Sequence, residues 1–132
     1  MNESLRIACA TDDGVRLTKN HFGDARYYLI YELDGINKTI GFIEKIKNLS
    51  PEEKMHGDPN KAASISEILK DSTVLLCCAM GKNVVRMRKR YCPVISKQLD
   101  IQKALVLLKE KYDEIILEAN RELGEDRAIV YI

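Results

Sequence analysis

The chain has 132 residues, of which 45% are hydrophobic and 31% are charged, and its formal net charge is +1. This composition is typical of a soluble globular protein, and we expect residues 1–132 to form a single domain. The near-neutral charge does not favour nucleic acid or an anionic membrane as a partner. Because no apolar run is long enough for a membrane span and the N-terminus has no signal-peptide pattern, we expect a cytoplasmic protein.

The first third of the chain predicts three strands. Residues 5–10 and 25–33 are apolar and form the first and second strands, with a long polar loop, residues 11–24, between them. Residues 34–37, Asp-Gly-Ile-Asn, predict a hairpin turn because Asp-Gly tolerates the positive φ of tight turns. The third strand then covers residues 38–46.

The pattern changes to alternating helices and strands after a polar segment. Asp58 as N-cap and Pro59 in the first helical position predict a helix that ends near Lys70. Residues 73–79 are an uninterrupted apolar run. Such a run is typical of a parallel strand that is covered on both faces.

The last third of the chain predicts two more helices and a strand. Residues 81–90 form a short basic helix, and residues 93–95 a short strand. The second helix covers residues 101–119, and Gly124 ends it. This helix is amphipathic, since its apolar residues follow one another at alternating spacings of four and three. They are Ile101, Leu105, Leu108, Tyr112, Ile115 and Ala119. Residues 128–132 are a candidate further strand.

The element order βββαβαβα predicts an α/β fold with three layers, α/β/α, around a mixed five-stranded sheet. Strand direction reverses early, which makes the first strand the natural neighbour of the fourth. Ligands of such sheets bind at the carboxyl ends of parallel strands, where the strand order reverses. We therefore expect residues 11–24 to lie beside the loop that contains residues 80–82.

Three side chains in the first loop are candidates for chemistry. His21 is one of two histidines, and neutral imidazole binds first-row metals, although the same side chain also caps turns. Asp12 and Asp13 follow the first strand, where paired carboxylates bind hard cations or transfer protons. The preferred alternative is a simple Asp-Asp-Gly turn, in which the carboxylates bind nearby amides.

The four cysteines contain no CxxC pair, which argues against a disulfide framework or a zinc ribbon. Cys77 and Cys78 are neighbours in a strand, so their side chains point to opposite faces. Cys78 is nearer the exit loop and is the better candidate for a thiolate ligand of an iron–sulfur centre, with a small buried hydrophobe as the alternative. Met80 is a thioether ligand, a plug over a pocket or a core methionine. Cys9 is a core residue, and Cys92 is a candidate for partial exposure.

Residues 86–90 carry four basic side chains. Nucleic-acid binding usually adds interleaved aromatic residues or a strongly basic domain, and this chain has neither. We interpret the run as a solvated helix face or as a docking surface for an acidic partner.

Two blocks, residues 7–14 (Ile-Ala-Cys-Ala-Thr-Asp-Asp-Gly) and residues 21–31 (His-Phe-Gly-Asp-Ala-Arg-Tyr-Tyr-Leu-Ile-Tyr), resemble a known family. This is the dinitrogenase iron–molybdenum cofactor biosynthesis family, which includes NifX-like proteins and the C-terminal NifB-like domain. The resemblance extends over about residues 5–120. It implies a ribonuclease H-like fold and a carrier or chaperone, not an enzyme.

By this resemblance, the protein binds an iron–sulfur or iron–molybdenum cluster precursor and delivers it from a donor to an acceptor protein of cluster assembly. The resemblance also implies that His21 contacts the cluster. With the residue arguments above, the predicted cofactor site consists of His21, Cys78, Met80 and Asp12, and its metal ligands are His21 and Cys78.

Two other functions remain open. A metal-free interaction or regulatory module of the same fold would dock through the basic helix. A divalent-metal phosphodiesterase would use Asp12 or Asp13. Two-metal catalysis needs several converging carboxylates, and no acid follows the predicted fourth or fifth strand, which disfavours the enzyme.

Overall fold

The computed structural model describes residues 3–49 and 59–132, which form one six-stranded sheet and four α-helices. The predicted N-cap Asp58 and the second histidine, His56, lie outside these residues. No helix in the described ranges is long and apolar enough to cross a membrane. In chain order the elements are β1 (Leu5–Thr11), β2 (Tyr27–Leu33), β3 (Ile40–Lys47), α1 (Pro59–Ile68), β4 (Val74–Cys77), α2 (Val84–Met87), β5 (Cys92–Ile95), α3 (Ile101–Glu110), α4 (Tyr112–Ala119) and β6 (Val130–Tyr131).

The strands are arranged in the order β3-β2-β1-β4-β5-β6. β1 pairs antiparallel with β2 and parallel with β4, so the sheet changes direction at β1 as predicted. The α/β class is confirmed, but the prediction of five strands is wrong, because β6 adds a sixth within the described residues. Val130 and Tyr131 pair with Val94 and Ile95 of β5. These β-branched and aromatic residues suit a strand, and they cover an edge that would otherwise be open.

Side chains of the strands alternate between two cores, one on each face of the sheet. On one face, residues such as Cys9 pack with Leu105 and other residues of α3 and α4. On the opposite face, residues such as Leu75 pack with Ile65 of α1 and Met87 of α2. Helices therefore cover both faces, as the uninterrupted apolar run around β4 predicted.

The amphipathic helix predicted over residues 101–119 is divided at Lys111 into α3 and α4. Lys111 has φ −99° and ψ 15°, outside the helical geometry on either side. Asp100 begins α3 by accepting a hydrogen bond from the amide of Lys103 at 3.0 Å. The apolar faces of α3 and α4 both point toward the sheet, so the spacing of the apolar residues continues across Lys111. Its buried members are Ile101, Leu105, Leu108, Tyr112 and Ile115.

Polar contacts hold the C-terminal segment against α4. The Glu118 carboxylate accepts hydrogen bonds from the amide of Ala128 at 2.6 Å and from Nε of Arg121 at 3.1 Å. The buried Arg127 guanidinium donates to the carbonyl oxygens of Arg121 and Glu125 at 2.6 and 3.1 Å. These bonds fix the chain direction that places β6 beside β5.

Candidate functional site

The loop after β1 and the loop after β4 meet at the carboxyl edge of the sheet. The amide of Phe22 donates to the carbonyl oxygen of Ala79 at 2.9 Å, and the Phe22 side chain is buried. Phe22 begins a single 3-10 turn, Phe22–Asp24. In this turn the amide of Asp24 donates to the carbonyl oxygen of His21. Because β1 and β4 are parallel neighbours, their carboxyl ends open at the same edge. The predicted meeting of the two loops is thus present in the structure.

A small cavity, which we call the His21 cavity, lies between these loops and helices α1 and α2. It has a volume of about 30 Å³. One buried water needs about 10–15 Å³ of such volume, so the cavity has room for very few atoms. Three of its lining residues, His21, Met80 and Gly81, are partly exposed, whereas Phe22, Ile65 and Met87 are buried.

Gly81 allows the main chain to lie directly against the imidazole of His21. A Cβ atom at position 81 would stand 2.8 Å from Nδ1 and 3.3 Å from Cε1 of that ring. Since such a separation is shorter than real Cβ contacts, glycine is required for this placement of the ring. Gly81 was predicted to lie in the loop after the fourth strand and to open a helix that runs to residue 90, whereas α2 covers only Val84–Met87.

The structure places Cys78 away from the His21 cavity. Cys78 is partly buried and packs against the core on the α3 and α4 side, whereas Met80 packs against the core on the α1 and α2 side. Cys78 instead lines a second, open cavity with Ile95, Leu99 and other residues. Cys77 is buried on the face opposite Cys78, as strand geometry predicted. The assignment of Cys78 as a metal ligand remains a prediction.

Three of the four thiols are buried. Burial raises the pKa of Cys77 to about 12 and that of Cys92 to about 12, because the thiolate loses its hydration. Burial also raises the pKa of Cys9 above its ordinary range. The expected partial exposure of Cys92 is wrong, since β5 lies between β4 and β6 and the thiol sits 3.7 Å from the carbonyl oxygen of Ala128.

The two carboxylates after β1 both organise the first loop. Asp12 accepts a hydrogen bond from the amide of Arg26 at 2.9 Å and another from Oγ1 of Thr18 at 2.7 Å. Asp13 accepts two main-chain amides of its own turn, both at 2.8 Å. The amides lower the pKa of the Asp13 carboxyl, and Gly14 completes the turn with φ 80°. The turn interpretation is confirmed for Asp13, and the predicted contact of Asp12 with a cofactor stays a prediction.

Three basic side chains in residues 86–90 contact other parts of the protein. Nε of Arg88 donates to the carbonyl oxygen of Arg127 at 2.6 Å, and Nη2 of Arg90 donates to that of Lys70 at 3.0 Å. Nζ of Lys89 lies 3.1 Å from a carboxylate oxygen of Asp126. These contacts tie α1 and the C-terminal segment to the loop between α2 and β5.

Across residues 3–49 and 59–132, no three His, Cys, Asp or Glu side chains are grouped as a metal site. The lining of the His21 cavity has a different set of possible donors: the imidazole of His21, the thioethers of Met80 and Met87, the carboxylate of Asp24 and the amide of Asn83. Met87 was not among the predicted site residues, because it lies within the basic run of residues 86–90. Its position seven residues after Met80, across the turn at Gly81, is the only signal that the sequence offers.

No curated protein and no solved structure matches this chain. A family model does match, with the description dinitrogenase iron-molybdenum cofactor, and it covers residues 3–111. The matched part contains β1, the His21 loop, β4 and the turn at Gly81, and it ends before α4 and β6. The match covers well over half of the sequence, so the chain belongs to the dinitrogenase iron-molybdenum cofactor family.

Proposed function

We propose that the protein is a non-enzymatic carrier that binds an iron–sulfur or iron–molybdenum cluster precursor at His21 and passes it to a partner protein. The observation that carries the proposal is the partly exposed imidazole of His21, held by Gly81 where two loops meet at the carboxyl edge of the sheet. Membership of the iron-molybdenum cofactor family supports this cargo. We also propose a ribonuclease H-like scaffold to which β6 is an addition.

The cluster would rest on the opening of the His21 cavity rather than inside it. A cluster of several metal and sulfide atoms exceeds a volume of about 30 Å³. It would contact the partly exposed residues His21 and Met80 and remain open to solvent. Such an exposed site suits a carrier, because an acceptor can add its own ligands before the carrier releases the cargo.

Anaerobic reconstitution tests the proposal. The purified protein is incubated with iron and sulfide, with and without molybdate, and its visible absorption and metal content are measured. We expect a charge-transfer band with stoichiometric iron that is lost in His21→Ala and kept in His56→Ala, which changes the second histidine of the chain. A colourless, folded wild-type protein, or a band that survives in His21→Ala, would refute the site.

Conservative variants separate the other predicted ligands. Met80→Leu removes a thioether at similar volume, and Cys78→Ser removes the thiol that lines the second cavity. The placement of Met80 beside His21 supports it as the second contact. A folded Cys78→Ser variant that loses the band would instead assign the thiolate ligand to Cys78.

Delivery is measured separately. Loaded protein is mixed anaerobically with an apo-ferredoxin as a generic acceptor, and the two are separated by size before iron analysis. We expect iron and the absorption band to move to the acceptor faster than from iron and sulfide in solution. Retention of all the iron on the loaded protein would contradict a carrier role.

A further inference from the structure

We propose that the His21 cavity is also a binding site for a single soft metal ion, Cu(I), held by the imidazole of His21 and the thioether sulfurs of Met80 and Met87. All three side chains line the same cavity, and they come from three separate elements: the first loop, the loop after β4, and α2. The proposal does not depend on cluster binding.

The donor chemistry selects the ion. Thioether sulfur is a soft ligand that favours Cu(I), and imidazole also binds copper, whereas Mg²⁺ and Ca²⁺ prefer oxygen. Asp24 also lines the cavity and would add to the affinity for harder ions such as Zn²⁺. If metal affinity falls when either methionine is replaced, the ion is held by soft ligands. If it does not fall, the ion is held by the histidine and the carboxylate.

The size and depth of the cavity favour one ion over a cluster. Its volume of about 30 Å³ accommodates a single ion. Met87 lines the cavity and is only 4% exposed. In this proposal an ion inside the cavity binds Met87, whereas a cluster resting at the opening does not. Met87 is thus the residue at which the two proposals differ.

The Met87 thioether lies where α2 packs against α1. Oγ of Ser66 lies 3.9 Å from Sδ of Met87. This is a weak contact, since thioether sulfur is a poor acceptor, and it leaves the sulfur able to bind a metal. The unbranched side chains of Met80 and Met87 adapt readily to a bound ion.

The test uses Ag(I), a redox-stable mimic of Cu(I), and protein labelled with ¹³C at the methionine methyl groups. The chain has four methionines, Met1, Met55, Met80 and Met87. We expect the methyl signals of Met80 and Met87 to shift and to saturate at one equivalent of Ag(I). Cu(I) affinity is then measured by competition with bicinchoninate under anaerobic conditions.

Three variants assign the ligands. Met80→Leu and Met87→Leu conserve side-chain volume, and each should weaken Cu(I) and Ag(I) binding by about tenfold or more while Zn²⁺ binding changes little. Cys78→Ser is the matched control, because its thiol is also a soft ligand but lines the other cavity, and we expect it to bind like wild type. Met80 is partly exposed, so Met80→Leu keeps the test valid even if Met87→Leu fails to fold.

Two results would overturn the inference: unshifted signals of Met80 and Met87, or Cu(I) binding that is lost in Cys78→Ser and kept in both leucine variants. The cluster proposal is judged on a different readout, the iron–sulfur absorption, which Met87→Leu should leave intact. Failure of one proposal is therefore distinguishable from failure of the other.

Discussion

Gly81 lies against His21 so closely that a Cβ atom on the glycine would stand 2.8 Å from Nδ1 of the imidazole. The two residues come from different loops, one after β1 and one after β4. The contact is between a main chain and a side chain, so a larger residue at position 81 displaces the ring before it disturbs the sheet. The orientation of His21 thus depends on a glycine in the other loop, the residue that directly follows Met80.

Gly81→Ala should reduce metal binding with little loss of stability. We expect at least about a tenfold lower affinity, as for other residues that orient a metal ligand, and an unfolding free energy within about 1 kcal/mol of wild type. Gly41→Ala is the control, since a Cβ atom there meets nothing within 4 Å. Ag(I) titration and urea unfolding measure the two quantities, and unchanged affinity in a folded Gly81→Ala variant would contradict the role of Gly81.

Asp12→Ala should loosen the loop that carries His21. The variant loses hydrogen bonds to Thr18 and to the amide of Arg26, on either side of His21 in the chain. We expect a cost of about 1–3 kcal/mol in the free energy of unfolding. Urea denaturation measures it against Asp126→Ala, whose exposed ion pair with Lys89 contributes little. Equal stabilities of the two variants would show that Asp12 does not hold the loop.

One thiol should react rapidly in the native protein. Burial raises the pKa of Cys77 and of Cys92 to about 12, so both thiols stay protonated at pH 8, and both are closed to solvent. Cys78 is partly exposed. Mass spectrometry after brief maleimide treatment should show one adduct, absent from Cys78→Ser, and four adducts after unfolding. Several rapid adducts on the native protein would contradict the burial of the other thiols.

Glu118→Ala should destabilise the protein, because it removes the acceptor that holds Ala128 and Arg121. Hydrogen bonds to a charged group contribute about 1.5–3 kcal/mol, and the Glu118 side chain is only 11% exposed. Glu125→Ala is the control, since its exposed pair with Arg121 should contribute at most about 1 kcal/mol. Urea unfolding of both variants checks this difference.

The Glu118 carboxylate should also make the free energy of unfolding depend on pH. The hydrogen bond from Arg121 lowers the pKa of Glu118 below its ordinary value of 4.5. Its contribution to stability is therefore present above pH 4.5 and is lost as the pH falls through the lower pKa of the folded state. The stability difference between wild type and Glu118→Gln should shrink between pH 6 and pH 3. A difference that stays constant over this range would rule out ionised Glu118 as its source.

The pairing of β2 with β3 and of β1 with β4 was predictable from residue patterns. The turn between β2 and β3 was expected to have its positive φ at Asp-Gly, but that φ falls on Lys38 (56°) and not on Gly35. The uninterrupted apolar run around β4 indicated helices on both faces. The division at Lys111 was not predictable, since the apolar stripe continues on the same face from α3 to α4. β6 was suggested only weakly, because two paired residues leave almost no periodic signal.

The site was predictable only in part. His21 and Met80 could be placed at one edge, because parallel strands end together there. The face of the sheet on which Cys78 lies could not be predicted. Strand alternation places Cys77 and Cys78 on opposite faces, but it does not indicate which helices cover each face. Met87 reaches the cavity from a helix of four residues, and its orientation depends on the packing of α2 against α1.

The hydrogen bond from the amide of Phe22 to the carbonyl oxygen of Ala79 joins the two loops. Phe22 directly follows His21 in the chain, and Ala79 directly precedes Met80. A change in the main chain of one loop at this bond should therefore reach the other loop as well, so the positions of the imidazole and of the Met80 thioether are not independent.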